Sequence, residues 1–171
     1  MQGWQGFYSI AGGLAATLLG LLFVTISVNA KAVLGEGHEN SRRLAQQAFQ
    51  NYLAIIMVAL LANFPDMSAA TFGEITLAVT ALGAVWVVVR LYLAFTQPHE
   101  STSRLQAVRR QFSSFIGFGM LVSAALIMAL KAGDSRNFYA AAVIVLMFSA
   151  TSVSWELLLK LAKTEKTDKP N

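Results

Sequence analysis

Residues Phe7 to Asn29 read FYSIAGGLAATLLGLLFVTISVN, without one Asp, Glu, Lys or Arg. About 20 apolar residues wound as a helix cross the hydrocarbon core of a bilayer. The stretch lacks the apolar–polar alternation of a membrane β-barrel strand and is about twice as long as one. It predicts a membrane-spanning helix. A cleaved leader does not fit, since no basic segment precedes the apolar stretch, which is also too long for one.

The same charge-free texture recurs outward along the chain. Residues 44–65, 111–130 and 137–155 hold no charged side chain, and only Arg90 interrupts residues 75–99. Five spans follow, at about 7–29, 45–64, 72–96, 112–130 and 138–161. The expected fold class is all-α, an integral membrane bundle of five transmembrane helices. It forms a single domain over residues 1–162, and residues 163–171 make a short polar cytoplasmic tail. Composition agrees. Of 171 residues 56% are hydrophobic and 13% charged, there is no cysteine, and mean hydropathy is +0.55. Soluble domains carry about 25% charged residues, so this chain cannot coat a water-facing surface. Soluble enzymes, nucleic-acid-binding domains and secreted disulfide scaffolds are excluded.

Orientation comes from the basic residues, which stay on the cytoplasmic side. With the N-terminus outside, Lys31, Arg42, Arg43, Arg104, Arg109, Arg110, Lys160, Lys163, Lys166 and Lys169 fall inside, and only Lys131 and Arg136 outside. The formal net charge of +4 then reflects topology and attraction to anionic lipids, with no nucleic-acid partner. Aromatic residues would form interfacial belts: Trp4, Phe7, Tyr8, Phe64, Phe72, Phe138 and Tyr139 at the outer face, Phe49, Tyr52, Tyr92, Phe95, Phe112 and Trp155 at the inner one. Between the third and fourth spans, Ser101 or Thr102 can cap a helix that leads into residue 112.

Within the first span Gly12, Ala16 and Gly20 repeat every four residues, and Gly13 and Thr17 begin a second small-residue stripe. Such faces let helix backbones approach closely in lipid, where packing drives association. They are expected to pack inside the bundle or to contact another copy or another membrane protein. The segment resembles a group of poorly characterised small bacterial multi-pass inner-membrane proteins with the pattern F-Y-x-x-x-G-x-x-A-A-T-L-x-G-L-x-F-V-x-x-S-x-N. The resemblance covers Phe7 to Asn29 and implies a bacterial inner-membrane location. Some similar proteins are described as modulators of a membrane protease. No catalytic residue carries over.

Arg90 and Glu156 are charged residues inside spans, which usually face the bundle, pair, or mark an ion or proton path. Each lies about 8–9 Å before the inner end of its helix, so an interhelical ion pair is allowed. Two alternatives stand beside it: Arg90 snorkels to the headgroups, and Glu156 pairs with Lys160 one turn on. At similar depth lies an inner polar layer of Ser27, Asn29, Gln46, Gln47, Gln50, Asn51, Ser113 and Ser114. Polar stripes run outward from it through Thr76 and Thr80 on the third span and Ser149 and Ser152 on the fifth. They predict either a hydrogen-bonded packing network or a hydrated vestibule.

No catalytic or metal-binding constellation is present. His38 and His99 have no ligand partners at metal spacing, and no cofactor motif occurs. Expected function is therefore non-enzymatic: a membrane subunit or modulator acting through lateral helix contacts, with itself as a homo-oligomer or with another membrane protein. A small ion channel or permeation protein with a polar inner vestibule at Arg90 and Glu156 is the alternative.

Overall fold

The computed structural model describes the backbone of residues 4–35, 38–96, 101–130 and 135–167. Side chains are described over 4–35, 38–81, 112, 114–130 and 135–162, and at 83, 85, 88, 89 and 92. Six helices follow one another: α1 Gln5–Val28, α2 Ala30–Leu34, α3 Glu39–Ala62, α4 Ala69–Thr96, α5 Ser101–Ala129 and α6 Arg136–Thr167. No strand occurs among the described residues. By length and composition α1, α3 and Arg136–Ala162 of α6 are able to cross a membrane. The apolar segments found within α4 and α5, Ala69–Ala81 and Ser114–Ala129, are shorter.

Helix boundaries depart from the sequence expectation where polar residues extend an apolar helix. Helix α3 starts at Glu39, a full turn and more before its charge-free segment, and its first turn carries an Arg43–Glu39 ion pair at 3.5 Å. Helix α5 runs unbroken from Ser101 into its charge-free segment. Helix α6 continues to Thr167, so the start of the polar tail is helical. The short α2, with Val33 fully buried, was not foreseen.

Helix α3 is the hub. It packs on α1, α2, α4 and α6, while α5 fills the space between α4 and α6. Helix α1 lies at the edge, burying only Tyr8, Ala11, Ala15 and Leu22 of its 24 residues. Its opposite face leaves Ile10, Leu14, Leu21, Phe23 and Val28 exposed, and α6 likewise exposes Ile144, Phe148 and Trp155. So much contiguous apolar exposure marks a surface made for something other than water.

Small residues set the closest contacts. A Cβ on Gly73 of α4 would stand 2.6 Å from the backbone nitrogen of Ala129 on α5. Only glycine permits that backbone approach. A Cβ on Gly12 would stand 2.6 Å from Ala59 Cβ, which seats α1 against α3. At the α3–α4 turn Asp66 takes a left-handed backbone (φ 56°), a conformation that a short Asx side chain tolerates. Asn63 ends α3 by donating to the Ala59 carbonyl at 2.8 Å, and its carbonyl oxygen accepts from Ser9 of α1 at 2.9 Å. Ser135 secures the start of α6 to α5 through the Ala124 carbonyl, at 2.8 Å.

Candidate functional site

Four of the polar residues singled out in sequence meet at one point. Asn51 Nδ2 on α3 donates to Ser114 Oγ on α5 at 2.9 Å and to Ser149 Oγ on α6 at 3.1 Å. Gln47 Nε2 donates to the same Ser114 oxygen at 3.0 Å. The two serine hydroxyls are 2.9 Å apart. All four side chains are buried. A hydroxyl has one proton to give and two lone pairs to accept with. Ser114 therefore accepts from both amides and gives its own proton to Ser149, which uses its whole capacity. The helix periodicity produces this convergence: Gln47 and Asn51, four residues apart, project from one face of α3 toward the α5–α6 seam.

Next to Asn51 on α3, Tyr52 is buried with its hydroxyl 3.5 Å from Thr151 Oγ1 and 3.5 Å from Ser154 Oγ, both on α6. Tyr52 is thus a core residue and not part of an interfacial belt, and the same correction applies to Tyr8, Phe72 and Tyr139. Aromatic residues that do lie exposed include Phe49, Phe64, Tyr92, Phe112, Phe138 and Trp155.

Ser27 and Asn29 of the predicted inner layer stay outside this network. Ser27 is exposed and donates to the Phe23 carbonyl of its own helix, and Asn29 donates to the Thr25 carbonyl. Gln46 is exposed and Gln50 half-buried. The side chain of Ser113 lies outside the described residues.

The polar stripes divide. Thr76 and Thr80 are buried, and Thr80 donates to the Thr76 carbonyl at 2.6 Å. Ser149 enters the core network, while Ser152 is exposed and bonded back to the Phe148 carbonyl at 2.8 Å.

Glu156 lies 3.4 Å from Lys160 Nζ on the next turn of α6, each side chain a third or more exposed. The side chain of Arg90 lies outside the described residues. Helix α5 packs on both α4 and α6, the helices that carry Arg90 and Glu156, and at the first turns of α4 and α6 Phe72 and Tyr139 meet edge to face, ring centres 5.1 Å apart.

On α1 the first small-residue stripe divides, Gly12 turning inward while Ala16 and Gly20 lie exposed beside the second. Gly12 and the neighbouring Ala15 face α3. Gly13, Ala16, Thr17 and Gly20 are exposed, and a Cβ at Gly13 or Gly20 would meet nothing within 4 Å. Thr17 adds no unsatisfied polarity to that face, since its hydroxyl donates to the Gly13 carbonyl at 2.9 Å. No group of three or more metal-ligating side chains occurs among the described residues.

Fold and surface together define an all-helical bundle with at least three helices suited to a membrane and a small-residue face turned outward. No protein-family model, curated protein or solved structure matches the chain.

Proposed function

We propose that this chain is a non-enzymatic multi-pass protein of the bacterial inner membrane that acts as a subunit or modulator through lateral helix contacts. Its occupant is a second copy or another membrane protein, with no cofactor. Five helices span the bilayer, N-terminus outside and C-terminus cytoplasmic. Helices α4 and α5, with 28 and 29 residues, are each about 42–44 Å long at 1.5 Å per residue, ample for a hydrocarbon core of about 30 Å. The basic residues at the cytoplasmic ends meet anionic lipid phosphates.

The observation that carries this proposal is the exposed Gly13–Ala16–Thr17–Gly20 face of α1. With no side chain standing over its glycines and its hydroxyl turned into its own helix, the face is smooth and chemically quiet. Such a surface admits a neighbouring helix backbone at close range. A permeation path through the polar layer has less support. Ser114 has no bonding capacity left for a passing ion or water, and Ser152 is exposed with its hydroxyl bonded back to the Phe148 carbonyl.

The test compares the assembly state of the purified protein in nanodiscs with that of Gly13→Leu and Gly20→Leu. Both positions have room, so the fold survives and the contact does not. A wild-type assembly, or a co-purifying membrane partner, lost in both variants is expected. An assembly state that is the same in all three proteins would falsify the proposal.

A further inference from the structure

Helices α1 and α6 are each seated on α3, α1 through Gly12 on Ala59 and α6 through the Asn51–Ser149 hydrogen bond. They touch each other only sparsely. Between them runs a groove of about 460 Å³, walled by Phe7, Ile10 and Leu14 of α1 and by Ile144, Met147 and Phe148 of α6. Ile10, Leu14, Ile144 and Phe148 are each more than half exposed. Thr151 brings the only hydroxyl among the lining residues. That hydroxyl donates to the Met147 carbonyl of its own helix at 2.9 Å and lies 3.5 Å from the Tyr52 hydroxyl.

The walls decide what the groove can hold. Ordered water makes about three hydrogen bonds, and these walls give it no foothold. Phe7 to Leu14 and Val143 to Thr151 each cover about 10–12 Å at 1.5 Å per residue. The cross-section is therefore about 40 Å². A helix with its side chains is about 10–12 Å across and needs roughly twice that area or more, so no partner helix enters. Carbon atoms in contact stand about 3.5–4.0 Å apart, which makes a hydrocarbon chain roughly 4–5 Å wide. One such chain fits lengthwise.

The end of the groove where both helices begin has a different chemistry. Trp4, half-buried, packs edge-on against Phe7, ring centres 6.0 Å apart, and tryptophan favours the headgroup level of a bilayer. On α6, Val143 and Met147 share a face with Ala140 and Arg136, spaced by three and four positions. Arg136 stands about 10 Å before Val143 along the helix. Helical side chains lean toward the N-terminal end, which carries the half-buried Arg136 side chain outward past the groove. Arg136 also has a contact within the protein. The five donors of a guanidinium suffice for that contact and for a phosphate.

We propose that the α1–α6 groove binds one acyl chain of an outer-leaflet phospholipid, whose phosphate is held at the mouth by Arg136. The site rests on the membrane orientation proposed above, with the starts of α1 and α6 at the outer surface. It lies on a different side of α1 from the Gly13–Ala16–Thr17–Gly20 face, so a bound lipid and a lateral partner do not compete.

The test reconstitutes the full chain in nanodiscs of phosphatidylethanolamine and phosphatidylglycerol, releases it into mild detergent and counts retained phospholipid by native mass spectrometry. One phospholipid per chain is expected for the wild type and for Gly13→Leu. The same is expected for Leu60→Trp, which adds bulk at an exposed site on α3. Leu14→Trp and Ile144→Trp plug the groove from either wall at exposed positions, so the fold survives, and each is expected to cut retention at least tenfold. Arg136→Gln leaves the groove open and is expected to weaken phospholipid retention about tenfold, the effect of one charge-assisted hydrogen bond. A monoacylglycerol, with a chain and no phosphate, is expected to bind the wild type and Arg136→Gln alike.

Equal phospholipid counts in the wild type and the plugged variants overturn the site, as does full retention in Arg136→Gln or loss in Gly13→Leu. A changed assembly state in the plugged variants at constant lipid makes side chains of a second copy the occupant, and overturns it too. A wild type that enters the bilayer and retains no lipid overturns the site and leaves the lateral-contact reading standing. A chain that never enters the nanodiscs defeats both.

Discussion

Asn51 Nδ2 stands 2.9 Å from Ser114 Oγ, a buried hydrogen bond that joins α3 to α5 across 63 positions of sequence. Ser114 also receives Gln47 and gives its proton to Ser149, so one hydroxyl holds three helices in register. Between apolar helices such bonds contribute about 0.6 kcal/mol each on average. Their larger effect is on uniqueness, since no other rotation of α3 offers both amides a partner.

Removing that hub is the first prediction. Ser114→Ala leaves two amide donors short of an acceptor, and an unsatisfied buried donor costs about 1–3 kcal/mol. We expect a loss of about 1–2 kcal/mol in reversible unfolding by denaturing detergent. Asn51→Ala combined with Ser114→Ala is expected to lose clearly less than the sum of the single changes. Strict additivity would show that the two residues do not share a network.

Glycine positions give the second. Gly73→Ala forces a methyl against the Ala129 backbone, which has no flexible end to move aside, and overpacking of this kind costs about 1–3 kcal/mol. Gly119 has open space around its missing Cβ. Gly119→Ala is therefore expected to stabilise by about 0.5–1 kcal/mol through helix propensity alone. Thermal midpoints moving in opposite directions for the two variants are the expected result, and a shared direction contradicts the packing described between α4 and α5.

The third concerns the charges within the helices. Both side chains of the Glu156–Lys160 contact are a third or more exposed, and such i,i+4 pairs contribute at most about 0.5 kcal/mol. Lys160→Ala is accordingly expected to change stability little. An ion pair between Arg90 and Glu156 predicts something different: Arg90→Ala and Glu156→Ala each destabilise more than the double variant, because a single change leaves a charge stranded. Additive effects in that cycle remove the pair.

Orientation supplies the fourth. A reporter fused after Asn171 is expected in the cytoplasm, and one inserted within residues 131–134 outside the cell membrane. The reverse pattern overturns the positive-inside assignment, and with it the account of the basic residues as lipid contacts.

The sequence by itself determined that the chain is all-helical and placed its five long helices, though not the short α2. Charge-free stretches separated by Gly, Pro and charged turns leave little choice, because an apolar segment without alternation must satisfy its backbone internally. It also located the start of α5 near Ser101 and nominated Gln47, Asn51, Ser114 and Ser149. Which face of each helix lies inside was decided only by the tertiary structure. A soluble helix announces its buried side by an apolar stripe, but α1 is apolar all round. Nothing local distinguishes Gly12, pressed on Ala59, from Gly13, which is open. The same ambiguity placed Tyr8, Tyr52, Phe72 and Tyr139 in an interfacial belt, whereas all four are core residues. Where hydrophobicity is uniform, orientation is selected by steric fit and by hydrogen bonds between helices far apart in the chain. Those depend on where residue 114 or 149 stands when residue 51 turns inward, a relation that exists only once the helices have packed.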